Sequence, residues 1–239
     1  MRRVLVTGGG SGIGRAIARQ FAENGDAVTI CGRRMEALED TASGFEMTCL
    51  SADVTDEKSL AAVFAKPFDV VIANAGVARN AKVADLSLDD WNTTLNITLT
   101  GVFLTFKAAL QNMPSGGRLI AIASTASLQG GVTLAAYSAA KHGVVGLVRS
   151  TAKEVARAGI TCNAICPGFV DTEMADGAAR NVAEKFGVDE AKAMDMIVAN
   201  NPMRRLITTE EIAATAFFLA SEGAGSINGH ALSVSGGEI

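Results

Sequence analysis

The sequence predicts an α/β protein with a doubly wound parallel sheet of about seven strands and helices on both faces. Apolar runs with β character alternate with helical patterns; the runs are VLVT, VTICG, MTCLS, DVVIA, RLIAIA, ITCNAIC and ALSV. Such alternation is typical of strand–helix–strand units, whose ligands lie at the carboxyl ends of the strands. Because 49% of the 239 residues are hydrophobic and no linker-like tract interrupts them, we expect a single domain over residues 1–239.

A glycine-rich turn follows the first apolar run. The segment Thr7–Gly14 reads TGGGSGIG and leads into a stretch where Ile13, Ile17 and Phe21 recur at helical spacing. Glycines spaced GxxxGxG let the backbone approach a pyrophosphate, while the free N–H groups of the helix start favour anions. A flexible loop would have the same composition, but the position between a strand and a helix favours a nucleotide site. Its predicted members are Gly8, Ser11, Gly12, Ile13 and Gly14.

The end of the second apolar run indicates which cofactor is preferred. An acidic residue here would bind the adenosine ribose of NAD and repel a 2′-phosphate. Instead the run ends Gly32-Arg33-Arg34, and two guanidiniums are well suited to hold a phosphate. NADP(H) is therefore the expected cofactor, with NAD(H) still possible, unless Arg33 and Arg34 only cap a surface turn.

Three residues that could carry out acid–base chemistry follow the fifth apolar run, RLIAIA. Ser124 ends RLIAIAS, and Tyr137 and Lys141 stand four apart in AAYSAAKHGVVG. On a helix these two share a face, so the Lys141 ammonium would lower the pKa of the Tyr137 phenol. With Ser124 bound to the same substrate oxygen, the three describe an acid–base site for a carbonyl or alcohol. A packed tyrosine ring beside a solvated amine is the alternative.

Taken together, these motifs resemble the short-chain dehydrogenase/reductase family along essentially the whole chain. The resemblance rests on TGGGSGIG, SADVTD, the Asn-Ala-Gly after VVIA, the Ser-Tyr-Lys triplet and NAICPGFVDTEM, in the family's order. It implies a Rossmann fold and hydride transfer between a nicotinamide and a ketone or secondary alcohol. The finer likeness is to bacterial ketoreductases acting on 3-oxoacyl thioesters, carried by coenzyme A or an acyl carrier protein, and on polyketide chains.

The resemblance also implies roles for individual residues. Ser124 polarises the carbonyl, Tyr137 is the general acid in reduction, and Lys141 binds the nicotinamide ribose. Asp53 contacts the adenine and can at the same time cap the next helix; Thr172 contacts the nicotinamide amide, or is an ordinary helix N-cap. The remaining residues assigned to the cofactor are Val54, Asn74, Ala75, Gly76, Pro167, Gly168 and Val170.

One position departs from the family pattern. Counted from Trp91 and Gly101, the family's relay Asn falls on Thr98, whereas Asn96 lies two residues away and so on roughly the opposite helical face. Thr98 keeps a main-chain carbonyl and a short hydroxyl, so a doubtful catalytic role is retained for it. This substitution is the one feature that favours a catalytically silent NADP-binding sensor or scaffold.

Residues 173–203 occupy the place of the family's substrate lid. Phe186, Met194, Met196 and Ile197 offer an adaptable apolar lining, although the same spacing also fits plain core. Exposed Arg79, Lys82 and Arg204 are candidates for a phosphopantetheine or carrier-protein contact. The alternative within the same chemistry is an NAD-dependent dehydrogenase of hydroxyacyl-CoA, cyclic alcohols or sugars.

Charge and composition limit the remaining partners. A net charge of -4 gives no electrostatic reason to expect nucleic acid or an anionic membrane, and no apolar run approaches a membrane span. The four cysteines are expected to be reduced core residues, and with two histidines no metal site is expected. We expect a cytoplasmic homo-oligomer, a tetramer or a dimer in view of the family, acting on a small molecule.

Overall fold

A computed structural model describes all 239 residues and confirms the doubly wound α/β fold. Seven parallel strands form one sheet in the order β3-β2-β1-β4-β5-β6-β7. The strands are β1 Arg3–Thr7, β2 Ala27–Gly32, β3 Met47–Ser51, β4 Val70–Ala73, β5 Arg118–Ile122, β6 Thr161–Pro167 and β7 Ala231–Val234. Each coincides with a predicted run to within about one residue at either end, which is the usual uncertainty of such boundaries.

Helices cover both faces of the sheet and enclose two separate cores. They are α1 Gly12–Glu23, α2 Met35–Ala42, α3 Glu57–Val63, α4 Leu88–Leu95, α5 Gly101–Leu110, α6 Ala135–Val155, α7 Glu173–Phe186, α8 Glu190–Val198 and α9 Thr209–Leu219. One core packs α3, α5 and α6 on the sheet, with Phe106 and Val148 fully buried. The other packs α1, α2 and α9 on the opposite face, with Phe21 and Ile212 fully buried.

The strand order positions the site. β1 pairs with both β2 and β4, so the chain reverses its direction of winding between these two neighbours. Loops after adjacent strands diverge at such a switch point and leave a crevice at the carboxyl edge. The glycine turn, which follows β1, opens directly into this crevice.

A π-helical turn joins α4 to α5. Asn96–Thr100 connects the two helices, so that Leu88–Leu110 forms one continuous rod. By length and composition alone the rod is apolar enough to cross a membrane, but 44% of its most apolar stretch is buried inside the protein. Core helices commonly pass such a test, and Val102, Leu104 and Phe106 of this rod belong to a core.

The segment predicted as the lid forms α7 and α8, which share a small core of their own. This core contains Ala179, Ala193 and Ile197, with Met194 packed against it. Met194 and Ile197 are therefore packing residues, as the alternative interpretation had it, whereas Phe186 and Met196 remain exposed. Among the cysteines, Cys31, Cys162 and Cys166 are buried, Cys49 is only partly buried, and all four are free thiols.

Candidate active site

The glycine turn between β1 and α1 is closed so tightly that one of its glycines has no room for a side chain. A β-carbon on Gly14 would overlap the carbonyl oxygen of Gly8 and lie 2.5 Å from Nδ2 of Asn74. Real β-carbons are not found so close to backbone or side-chain atoms, and the neighbours here are held on both sides. Gly8, Ser11, Gly12 and Ile13 line the cavity above, while Gly14 supports them from behind.

A polar clamp between β1 and β4 holds the turn, and sequence reasoning missed half of it. Thr7 is 1% exposed, and its hydroxyl accepts hydrogen bonds from the backbone N–H groups of Asn74 at 3.0 Å and Ala75 at 3.2 Å. The Asn74 amide returns two bonds, to the carbonyls of Thr7 at 3.0 Å and Gly8 at 3.1 Å. The Asn74 side chain therefore shapes the turn rather than reaching outward. Thr7 directly precedes Gly8 of the predicted glycine turn, and this position was the signal in the sequence from which its role could have been found.

Three arginines surround the far end of the cavity. Arg33 and Arg34 after β2 line it as predicted, and Arg15 of α1 joins them. The Arg15 guanidinium is fixed by bonds from Nε to the Thr41 hydroxyl at 3.0 Å and from Nη2 to the Gly10 carbonyl at 2.9 Å. None of the three lies within ion-pairing distance of a carboxylate. The corner is therefore cationic and holds no direct ion pair, which suits an anionic group.

Asp53 lines the same cavity and is held by its own loop. Its carboxylate accepts from the Thr55 backbone N–H at 2.9 Å and from the Thr55 hydroxyl at 2.8 Å. These bonds, the backbone bond first, lower the pKa of Asp53, and Arg33 acts in the same direction. The suggestion that Asp53 caps the next helix is wrong, because Asp56 is the N-cap of α3 and accepts from the Lys58 N–H at 2.9 Å.

Ser124 lies just beyond the carboxyl end of β5, and its hydroxyl accepts one backbone hydrogen bond. Its Oγ accepts from the Ala126 N–H at 3.1 Å, and its own N–H donates to the Ser127 hydroxyl at 3.1 Å. This reciprocal pair is a capping box around a single 3₁₀ turn. Because Oγ is used as an acceptor, its O–H remains available to donate to a substrate oxygen.

Lys141 is buried beside Tyr137 but does not lower that phenol's pKa as expected. Its Nζ lies 5.6 Å from the Tyr137 ring centroid and donates to the Ile122 carbonyl at 2.6 Å. Burial raises the pKa of Tyr137, with Ser124 acting in the opposite direction, and burial lowers the pKa of Lys141 to about 8. Desolvation is the largest cause for both groups, because burial disfavours the charged form, the phenolate of Tyr137 and the ammonium of Lys141.

Thr98 faces this site, but its hydroxyl is occupied. It donates to the Val77 carbonyl at 3.0 Å and accepts from the Val77 N–H at 3.1 Å, so it joins the π-helical turn to the loop after β4. The side chain is fully buried, whereas Asn96 is exposed. The structure thus gives Thr98 a bridging contact, whereas Asn96 lies on the exposed side of the rod.

The loop after β6 completes the edge of the site. Pro167 ends the strand, Gly168 donates to the Val234 carbonyl at 3.1 Å, and Val170 is buried in the core. None of these three predicted cofactor residues lines the cavity. Thr172 lines the cavity with its methyl group over Gly12. It occupies the N-cap position of α7, but its hydroxyl donates to the Val170 carbonyl at 3.1 Å instead of capping the helix.

A cavity of about 580 Å³ runs from the arginine corner toward the Ser-Tyr-Lys group. At its near end are Val54, Ala75 and Gly76, and a β-carbon on Gly76 would lie 3.7 Å from the Lys141 Nζ. The cationic corner and the glycine turn therefore border one space, and Lys141 lies directly beside its Gly76 end. No group of three or more His, Cys, Asp or Glu side chains is placed to hold a metal ion.

Comparison with known proteins agrees with this geometry. Residues 8–238 match the family model described as enoyl-(acyl carrier protein) reductase. A Streptomyces violaceoruber protein, assigned as ketoacyl reductase 1 of the granaticin polyketide synthase, is 38% identical over 98% of this chain and 91% of its own length. The (3R)-3-hydroxyacyl-CoA dehydrogenase of Canis lupus familiaris is 34% identical over 98% of this chain and 94% of its own.

A solved structure is similar throughout. A variant of actinorhodin polyketide ketoreductase, crystallised with NADPH, superposes with a TM-score of 0.94 at 36% identity. The match covers 99% of this chain and 97% of that one. The likeness therefore extends over essentially the whole fold.

Proposed function

We propose, from the premise that the chain belongs to the short-chain dehydrogenase/reductase family, that it is an NADP(H)-dependent reductase of 3-oxoacyl thioesters. Family membership makes it an oxidoreductase that interconverts ketones and secondary alcohols. The cofactor and the thioester are the proposed parts. The observation that carries the proposal is the cavity that runs from an arginine-lined corner past the glycine turn to Gly76, beside the Lys141 Nζ.

Preference for NADP(H) is supported by charge at the adenosine end of the cavity. Arg15, Arg33 and Arg34 present three guanidiniums there with no carboxylate partner. Charge-assisted bonds from arginine to phosphate are among the strongest in proteins, and they have no counterpart for the 2′-hydroxyl of NAD. The pyrophosphate would lie against the glycine turn and the start of α1.

The chemistry follows from the protonation states. When bound, the nicotinamide supplies the hydride for the carbonyl carbon. Because the pKa of Tyr137 is raised above its ordinary value, the phenol keeps its proton at neutral pH and can deliver it to the developing alkoxide. Lys141, with a pKa of about 8, is still an ammonium there and stabilises the phenolate that remains. The Ser124 hydroxyl donates to the same oxygen.

The substrate class is supported by the surface around the acid–base group. Leu128, Phe169, Met174 and Met203 are each at least 38% exposed in the loops and helix that border it. Scattered exposed side chains need no explanation, but apolar ones in the loops beside the acid–base group, with Met174 lining the cavity, suit an acyl chain. Relatives named for ketoacyl and 3-hydroxyacyl-CoA substrates favour the thioester over a cyclic or sugar ketone. The pair α7–α8 would act as the lid.

Assembly and location complete the proposal. We place the protein in the cytoplasm as a homo-oligomer, with the rod of α4 and α5 contributing to the interface. Leu88 is 73% exposed and Phe103 is 44% exposed on that rod. Burying such side chains on a second copy of the chain would be favourable.

The decisive experiment measures initial rates from the absorbance of NADPH and NADH, each with acetoacetyl-CoA, a cyclic ketone and a keto-sugar. We expect NADPH oxidation with acetoacetyl-CoA to exceed every other combination. Turnover with NADH alone would overturn the cofactor assignment, and turnover with only a cyclic ketone or sugar would overturn the thioester. Tight NADPH binding without any turnover would favour the sensor.

A further inference from the structure

The residues that follow β7, Ser235–Ile239, fold back across the carboxyl edge of the sheet; we name them the strap. The strap is closed on itself. The Ser235 hydroxyl lies 3.4 Å from both the N–H and the carbonyl of Ile239, and the Glu238 N–H donates to the Ser235 carbonyl at 3.4 Å. Ser235 is 4% exposed, so the strap is anchored rather than frayed.

Glu238 joins the strap to the loop that carries Ser124. Its Oε1 accepts from the Gln129 side-chain Nε2 at 2.7 Å. Gln129 lies between Ser124 and Tyr137 in sequence, directly after the 3₁₀ turn that Ser124 caps. The bond therefore fixes the segment that leads from one acid–base residue to the other.

The second oxygen of Glu238 lies against the loop after β6. A β-carbon on Gly168 would be 3.1 Å from Oε2, so the carboxylate rests close to the Pro167–Gly168 backbone. Glu238 is partly buried and takes part in no ion pair. Its polar contacts are therefore with neighbouring loops rather than with a cation.

The strap also contacts the end of the lid segment. Gly236 has a φ of +64°, and a β-carbon there would overlap the Asn201 Oδ1. Asn201 is 7% exposed, accepts from the Met203 N–H at 2.8 Å and donates to the Arg205 carbonyl at 2.8 Å. One short segment thus touches the Ser124 loop, the Gly168 loop and the point where the lid returns to the main domain.

We infer that the strap sets the spacing of the three loops around the substrate, and that Glu238 is its positioning residue. The strap touches none of the residues that line the cofactor cavity at the arginine corner, so its effect falls on the ketone rather than on the dinucleotide. The inference rests on the carbonyl-reducing activity proposed above, but on neither the thioester nor NADP(H).

The main test compares Glu238→Ala with Glu238→Gln in the full chain, using acetoacetyl-CoA and NADPH. Loss of the carboxylate should raise KM for the ketone about tenfold and lower kcat by less than about threefold, since a hydrogen bond to a charged group is lost at a distance from the reacting atoms. Glu238→Gln should restore KM, because its amide oxygen can still accept from Gln129. Glu23→Ala, an exposed carboxylate with no hydrogen bond, is the matched control.

A double-mutant cycle tests the pair itself. Gln129→Ala with Glu238→Ala should raise KM no more than either change alone, because both remove the same bond. Additive effects would overturn the pairing. An unchanged KM in Glu238→Ala would overturn the inference. So would a loss of NADPH affinity and of thermal stability together with the rise in KM, because that pattern indicates a merely structural role.

Hydrogen exchange decides the inference even without a known substrate. In Glu238→Ala with NADPH bound, exchange should quicken in residues 128–131 and 200–204 and stay unchanged in the glycine turn. Equal exchange in mutant and wild type would overturn the strap's role. Failure of the wild-type protein to reduce acetoacetyl-CoA would instead overturn the proposed substrate and leave this measurement standing.

Discussion

The two ends of the active-site cleft are built in different ways. At the cofactor end, buried Thr7, the Asn74 amide and Gly14 fix the backbone through close contacts and reciprocal hydrogen bonds. At the substrate end, α7 and α8 pack on a small core of their own, and Met174, Phe186 and Met196 remain exposed. The cofactor would therefore contact a rigid polar surface, and the substrate would contact adaptable apolar side chains.

This difference reflects what each end must recognise. A dinucleotide has fixed charges at fixed spacing, and preorganised N–H groups and guanidiniums match it without adjustment. An acyl chain offers few polar groups, so affinity comes from apolar contact that methionine and phenylalanine can adapt. Substitutions at the cofactor end should therefore be costly and specific, whereas those in the lid should be tolerated.

The largest expected effect lies at the junction of the two ends. Tyr137→Phe removes the proton donor, so kcat should fall about 10²- to 10⁴-fold while NADPH affinity is retained. Single-turnover kinetics and a fluorescence titration measure the two quantities. Ser138→Ala is the control in the same helix. It removes a buried hydroxyl that has no hydrogen-bond partner, so both quantities should stay unchanged. Turnover of Tyr137→Phe within a few-fold of wild type would refute the assignment.

Gly14→Ala should test the rigidity of the cofactor end. The new methyl group would collide with the Gly8 carbonyl, so the turn must open and NADPH affinity should fall about 100-fold. Thermal unfolding with and without NADPH would register both the destabilisation and the lost binding. Normal affinity in this variant would show that the turn yields more easily than its contacts indicate.

The pH dependence of carbonyl reduction should report Lys141. Its pKa of about 8 lies below the ordinary lysine value, so the ammonium is present below that pH and is lost as the pH rises through it. Tyr137, whose pKa is raised, keeps its proton throughout. We expect kcat/KM to be level near neutrality and to fall about tenfold per unit above about pH 8. A level profile to about pH 9.5 would contradict this.

Arg15→Met should weaken NADPH binding about tenfold, because the guanidinium that would contact the 2′-phosphate is removed. NADH has no 2′-phosphate, so its binding should stay unchanged. Isothermal titration with both nucleotides separates this role from a structural one. Arg19→Met is the matched control: Arg19 also joins α1 to α2, through bonds to the Thr41 and Asp40 carbonyls at 3.1 Å, but does not line the cavity. Equal losses for both nucleotides would make Arg15 a structural link only.

The smallest effect is expected in the lid. Gly177→Ala in α7 would meet only the Arg180 Nη2 at 3.9 Å, so the helix should gain about 0.5 to 1 kcal/mol and NADPH affinity should not change. Chemical unfolding and a fluorescence titration measure these. A loss of cofactor affinity comparable to that of Gly14→Ala would abolish the contrast between the two ends.

Most of the fold could be predicted because its signals are local. Each strand is a short apolar run, so the seven strands could be predicted from the pattern of hydrophobic residues along the chain. The same holds for the glycine turn, the arginines after β2, and Tyr137 with Lys141 on one helical face. These features depend on neighbours a few residues apart.

The π-helical turn at Asn96–Thr100 and the separate core of α7 and α8 were not predicted. The turn retains helical backbone angles, with Asn96 at φ -63° and ψ -46°, so apolar spacing does not distinguish it from the α-helices on either side. The lid core depends on which helix α7 packs against. The spacing of Met194 and Ile197 favours core over a cavity lining but does not identify the partner helix.

The sequence by itself determined the α/β architecture, the nucleotide turn and the acid–base triplet, since spacing along the chain is enough to place residues on one strand end or one helix face. Only the tertiary structure decided that Asn74 closes on Thr7, that Arg15 enters the cationic corner, that Glu238 reaches Gln129, and that burial rather than Lys141 governs the Tyr137 pKa. The contacts join residues far apart in the chain, and the pKa follows from how completely packing removes a side chain from water, which no local pattern records.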